Sequence, residues 1–61
     1  MNIANTIIQN KISIDYCGKS IWAGIKNSSG LVIKNSHVKF KETNGDEGKA
    51  LELAVKRLME G

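Results

Sequence analysis

From Lys11 to Tyr16 apolar and polar residues alternate, with Ile12, Ile14 and Tyr16 on one parity and Lys11, Ser13 and Asp15 on the other. A period of two predicts a half-buried strand. Cys17-Gly18-Lys19-Ser20 breaks the pattern, and alternation resumes from Ser20 to Lys26. There Ile21, Ala23 and Ile25 share one face, while Trp22 and Gly24 fall on the other. Asn27-Ser28-Ser29-Gly30 reads as a hairpin loop, in which Gly30 supplies the positive φ such loops often need. Leu31-Val32-Ile33 opens a third strand that runs on towards Phe40. Leu31 and Ile33 have one parity and Val38 and Phe40 the other, so a bulge near Asn35-Ser36 is expected.

Beyond residue 41 the apolar period lengthens to that of a helix. Leu51, Ala54, Val55 and Leu58 recur at i, i+3, i+4 and i+7 and define one stripe. Asn44 is the expected cap, with Glu47 three residues on completing a capping-box-like start. Glu52 and Lys56 make a favourable i,i+4 pair, and Gly61 ends the helix. Ile3, Ile7 and Ile8 in residues 1–10 either join the first strand or form a frayed lead. The expected architecture is α+β: a three-stranded antiparallel sheet over 11–41 followed by one packing C-terminal helix over 44–60, all in a single domain of residues 1–61. Leu53 lies roughly 200° round the helix from Leu51, among polar residues. Either it is one exposed leucine of no consequence, or it marks an interface where another helix or subunit packs.

Composition narrows the classes of function. The chain has 61 residues, nine Lys+Arg against six Asp+Glu, a net charge of +3, 41% apolar residues and no proline. The apolar share excludes a disordered tail, and the absence of a run of ~18 apolar residues excludes a membrane-spanning helix. One cysteine excludes an internal disulfide, and the stretch from Met1 to Ile8 is too short and too polar for a secretory signal. The chain is therefore expected to be soluble and intracellular, with no membrane partner. A domain of this size buries only ~60% of its unfolded surface, which makes a protein partner or homodimer an expectation.

Most of the short motifs carry no chemistry. Gly18-Lys19-Ser20 has the ending of a phosphate-binding loop, but Ser13 stands where that loop needs glycine and no helix pattern follows. Asn27-Ser28-Ser29 is a glycosylation sequon, read here as a polar turn. Cys17 and His37 are far apart in sequence and are assigned structural roles, since a nucleophile pair needs contact in space. The basic residues say more. Lys34, Lys39 and Lys41 surround the third strand and Lys49 sits on the helix, which suits phosphate contacts. Trp22 either stacks on a base or covers one side of the sheet. Asp15, at the end of the first strand, is a candidate metal ligand.

At this level of detail the chain resembles the N-terminal half of a ribonuclease H-like domain of the plant type. That family opens with a strand ending in Asp, then a strand rich in Ala and Gly, a D-S-x-G-type turn, a third strand and an amphipathic helix. The matching residues are Lys11-Ile12-Ser13-Ile14-Asp15, then Trp22 to Ile33, then Thr43-Asn44-Gly45-Asp46-Glu47-Gly48-Lys49-Ala50-Leu51. The resemblance implies a ribonuclease H-like half-domain that binds nucleic acid, with RNA–DNA hybrid as the family's substrate. It implies Mg²⁺ held by a carboxylate cluster, with Asp15 at the first ligand position. The second position falls on Lys49; Glu47 reaches it only in a shifted alignment, and the later carboxylates would lie beyond residue 61. The expectation is a truncated unit with Asp15 as a vestigial catalytic position, not competent in hydrolysis alone. No cofactor is required, and Mg²⁺ enters only if that site works. Two other readings stand beside it. One is a small dimerising regulator of phage or plasmid type with no catalytic role. The other is a module resembling the strand-strand-strand-helix part of double-stranded RNA-binding domains. Against the latter, the helix begins with Asp46-Glu47 rather than a basic cluster.

Overall fold

The computed structural model describes residues 2–60. Helix α1 (Ile3–Asn10) leads into strands β1 (Ser13–Cys17), β2 (Ser20–Lys26) and β3 (Val32–Lys39). A 3₁₀ turn (Phe40–Thr43) then delivers the chain into helix α2 (Glu47–Glu60). The strands form one antiparallel sheet in the order β1-β2-β3. The α+β arrangement of three strands and a packing C-terminal helix is therefore present. Gly61, expected to end that helix, lies outside the described residues.

Helix α1 corrects the expectation that residues 1–10 extend the first strand or fray. Asn2 accepts a hydrogen bond from the Asn5 backbone N–H at 3.1 Å, satisfying one of the donors a helix start leaves free. Ile3 and Ile7, four residues apart, turn inward against the core. At the far end Lys11 adopts φ 52°, and the N–H groups of Lys11 and Ile12 donate to the carbonyls of Ile8 and Ile7. This is a Schellman closure, and its usual apolar contact is supplied by Ile7 and Ile12. An eight-residue helix is marginal alone, so burial of Ile3 and Ile7 is what holds it.

The β1–β2 connection is a two-residue turn, Gly18-Lys19, with Gly18 at φ 60°. Glycine at the first central position suits the II′ hairpin turn, whose twist matches that of the strands. In the longer β2–β3 loop Gly30 takes φ 84°. The Asn27 side chain accepts from the Ser29 and Leu31 N–H groups at 2.9 and 3.1 Å and rigidifies the loop. The bulge exists, but two residues earlier than expected. Ile25 pairs with Lys34 and Lys26 with Val32, so Ile33 is the extra residue. Beyond it Lys34, Ser36 and Val38 share the face of Ile25, Ala23 and Ile21.

The core lies between this face and the helices: Ile12, Ile21, Ala23 and Val38 meet Ala50, Ala54, Val55 and Leu58, all buried. Leu51 is half-buried at its margin. Alanines at 50 and 54 let α2 approach β2 and β3 closely. Two details of the helix differ from expectation. Asp46, not Asn44, caps α2, accepting from the Lys49 N–H at 2.9 Å. Asn44 instead takes φ 54° and closes the 3₁₀ turn, which fits the tolerance of asparagine for that conformation. Leu53 is half-buried and packs against the core rather than standing among the polar side chains. Tyr16 shares the parity of Ile12 and Ile14 yet is exposed, because β1 is an edge strand and α2 packs over β2 and β3. No helix among the described residues is long and apolar enough to cross a membrane.

Candidate nucleic-acid interface

Helix α2 packs on one face of the sheet and α1 packs against α2, so among the described residues the opposite face of the sheet is open. Alternation and register assign it Ser13, Asp15 and Cys17 from β1, Ser20, Trp22, Gly24 and Lys26 from β2, and Asn35, His37 and Lys39 from β3. Trp22 pairs across β2–β3 with His37. Their rings stack with centroids 4.2 Å apart and planes inclined by 22°. Stacking of this kind restrains the indole, yet Trp22 remains 41% exposed. Next to it a hollow of about 580 Å³ runs over Gly24, bordered by Asp15, Trp22, Lys26, Val32 and Asn35. It exists because Gly24 places no side chain there.

A second concavity, about 860 Å³, lies at the end of the sheet where the β1–β2 turn meets the 3₁₀ turn. The Phe40 N–H donates to the Lys19 carbonyl at 2.9 Å and ties the two segments together. Lys19, Lys39 and Lys41 line this cleft with Phe40. Glu42, one residue on, is turned away from it. Its carboxylate accepts from the Lys39 N–H at 2.9 Å and pairs with Arg57 of α2 at 3.1 Å. The Lys39 amide first, and then Arg57, hold the Glu42 carboxyl below its ordinary range.

Of the residues expected to bind nucleic acid, the fold brings Lys39 and Lys41 to one cleft and sets Trp22 on the adjoining open face. Lys34 lies on the helix-facing parity of β3, five residues from Lys39, or about 17 Å along the strand. Lys49 is in the first turn of α2, beside Asp46 and Glu47. Lys19 and Lys26 were not singled out from the sequence, although a signal for them exists. Between Asp15 and Glu42 the chain carries Lys19, Lys26, Lys34, Lys39 and Lys41 and no acid at all. Simple totals conceal that segregation behind a net charge of +3.

The candidate metal ligands are not brought together. Asp15 sits in the middle of β1 rather than at its end, exposed on the open face. Glu47 begins α2 on the other side of the sheet. No group of three or more His, Cys, Asp or Glu side chains that could hold a metal ion occurs among the described residues. Cys17 and His37 share the open face, but β2 runs between their strands, a separation of about 10 Å. No family model, curated protein or solved structure gives a significant match to the chain.

Proposed function

We propose that this chain is a nucleic-acid-binding module without hydrolytic capacity of its own. The reading coincides with the binding role that the likeness to a ribonuclease H-like half-domain implies. One observation carries it: an acid-free stretch from residue 16 to residue 41 folds so that Lys19, Lys39 and Lys41 line a single cleft. Clustered lysines neutralise phosphates and release counter-ions, which is the largest source of sequence-independent affinity for nucleic acid. Glu42, the nearest following acid, is engaged by Arg57 and the Lys39 amide. Against hydrolysis stands the separation of Asp15 from Glu47 by the sheet, since a two-metal site needs carboxylates that converge.

The test is fluorescence anisotropy with labelled single-stranded and duplex oligonucleotides, titrated with salt between roughly 50 and 200 mM. Salt-sensitive binding that is lost in the double variant Lys39→Glu/Lys41→Glu, with its circular dichroism unchanged, supports the reading. No binding to any oligonucleotide at the lowest salt removes it.

A second reading, a small dimerising regulator, is favoured by a different observation. Leu31, Val32 and Ile33 are 66%, 52% and 61% exposed at the start of β3, and β3 is an edge strand. Exposed apolar edges invite pairing with a second copy. Light scattering at micromolar concentration decides it, a mass of twice 6.7 kDa being the dimer.

A further inference from the structure

We infer that the open sheet face takes single-stranded nucleic acid, with one base stacked on Trp22 over the Gly24 hollow. The inference rests on the nucleic-acid reading above and names the form of the polymer and the residue that meets the base. The Trp22 indole is 41% exposed on the middle strand of the sheet, and no helix among the described residues packs on that side. His37 stacks against it and leaves the rest of the ring accessible. Every base presents a π-face, so such a platform binds a strand whatever its sequence. A double helix keeps its base faces within its own stack and has none to offer the indole. The ligand that suits this face is therefore a single strand.

Charge sets the direction of the strand. Among the described residues Asp15 is the only acid on the open face, and it stands on β1. Lys39 lies on the opposite edge strand and Lys26 at the end of the central strand, at the two ends of the β2–β3 pairing. They are about 20 Å apart along the sheet. Phosphates then run obliquely over the β2–β3 pair, from Lys39 on β3 to Lys26 on β2, and bases point towards β1. The hollow of about 580 Å³ is of the size of small-ligand sites, about 300–1,000 Å³. At its rim the Asp15 carboxylate accepts from an exocyclic amino group, as carboxylates do from cytosine N4. Asn35 offers both a donor and an acceptor.

Trp22 is the only tryptophan, so its emission reports on this site directly. The probes are oligo-dC and oligo-dT of about twelve nucleotides and a mixed-sequence duplex of equal length, each followed by intrinsic fluorescence and by anisotropy of an end label. The expected result is quenching of Trp22 by both single strands and none by the duplex. Oligo-dC is expected to bind more tightly than oligo-dT, a preference abolished in Asp15→Asn. Trp22→Leu, which keeps an apolar cover on the sheet, weakens anisotropy-measured binding about tenfold or more, while Trp22→Phe retains part of it. Binding by anisotropy with unchanged Trp22 emission and full affinity in Trp22→Leu overturns the inference and leaves the nucleic-acid reading intact, as does binding of the duplex alone. Equal affinity for the two single strands overturns the role of Asp15. Failure of every oligonucleotide to bind overturns both readings.

Discussion

Ser36 on β3 donates its hydroxyl to the carbonyl of Ala54 in the middle of α2, at 2.6 Å. The bond crosses the layer between sheet and helix, beside the buried apolar residues Ala23, Val38 and Val55. It fixes the helix along its axis relative to the sheet, which the smooth surfaces of Ala50 and Ala54 cannot do. Ser36→Ala removes the donor while the Ala54 carbonyl keeps its place in the helix. The expected cost is about 1 kcal/mol, read as a lower urea midpoint with an unchanged m-value. No loss of stability would show that apolar packing alone sets the helix position.

Leu58 is among the largest buried side chains and closes the C-terminal end of the core against the sheet. Leu58→Ala is expected to cost about 2–5 kcal/mol. A domain of this length has roughly 3–9 kcal/mol in total, at about 0.05–0.15 kcal/mol per residue. The variant should therefore lose most of its cooperative thermal transition. A sharp transition retained near the parent midpoint would mean that the helix is anchored elsewhere.

Much of this fold is written in the periodicity of the chain. The alternation at Ile12–Ile14 and Ile21–Ala23–Ile25 and the stripe Leu51–Ala54–Val55–Leu58 lead directly to the sheet and to α2. Helix α1 is harder to read because its apolar pair, Ile3 and Ile7, covers only two turns, and Ile8 disturbs the pattern by being exposed. The Asn2 cap was its one local signal. The bulge is offset because parity shows that a residue is extra without showing which one. Leu53 is half-buried although the helical wheel places it among polar groups, since a wheel ignores the neighbours that reach round a short helix. At the candidate site, Lys39, Lys41 and Trp22 could be named from residue type alone. The inclusion of Lys19 and the removal of Lys34 to the other side follow from a two-residue turn and a one-residue bulge.

Lys11 closes α1 with φ 52°, a conformation that strains any side chain with a Cβ. Glycine at this position relieves it. Lys11→Gly is expected to stabilise the chain by about 1 kcal/mol, net of the extra chain entropy, and to raise Tm by about 4–8 °C. Asn44→Gly should gain less, because asparagine accepts φ 54° more readily. Differential scanning calorimetry on the two variants checks both the sign and the order.

Glu42 joins three elements: its own 3₁₀ turn, the end of β3 through the Lys39 N–H, and α2 through Arg57. Its carboxyl is held below the ordinary range, chiefly by the Lys39 amide and then by Arg57. A depressed folded-state pKa means that the ionised form favours the native state. That contribution is complete above the unfolded Glu value, ~4.3, and is lost as pH falls through the lower folded value. Stability should decline on acidification in that window, and Glu42→Gln should flatten the decline. Urea melts at neutral pH and at successively lower pH values, for parent and variant, give the comparison. Parallel curves would place the acid sensitivity in another carboxylate.

The lysine cleft makes a quantitative prediction for salt. For single strands the slope of log K against log salt is about −0.7 per phosphate neutralised. Lys39 and Lys41 line one cleft, so Lys39→Gln/Lys41→Gln should reduce the magnitude of the slope by about 1.4. Lys34 points to the helix side of β3, at the far end of the strand, and Lys34→Gln should leave the slope within error of the parent. Net charge falls with every one of these substitutions, so a protein acting merely as a diffuse cation would respond to Lys34→Gln half as strongly as to the double change. Titrations of oligo-dT binding at several salt concentrations separate the two cases. A slope that changes at Lys39 and Lys41 and not at Lys34 localises the phosphate path to the cleft and the adjoining open face.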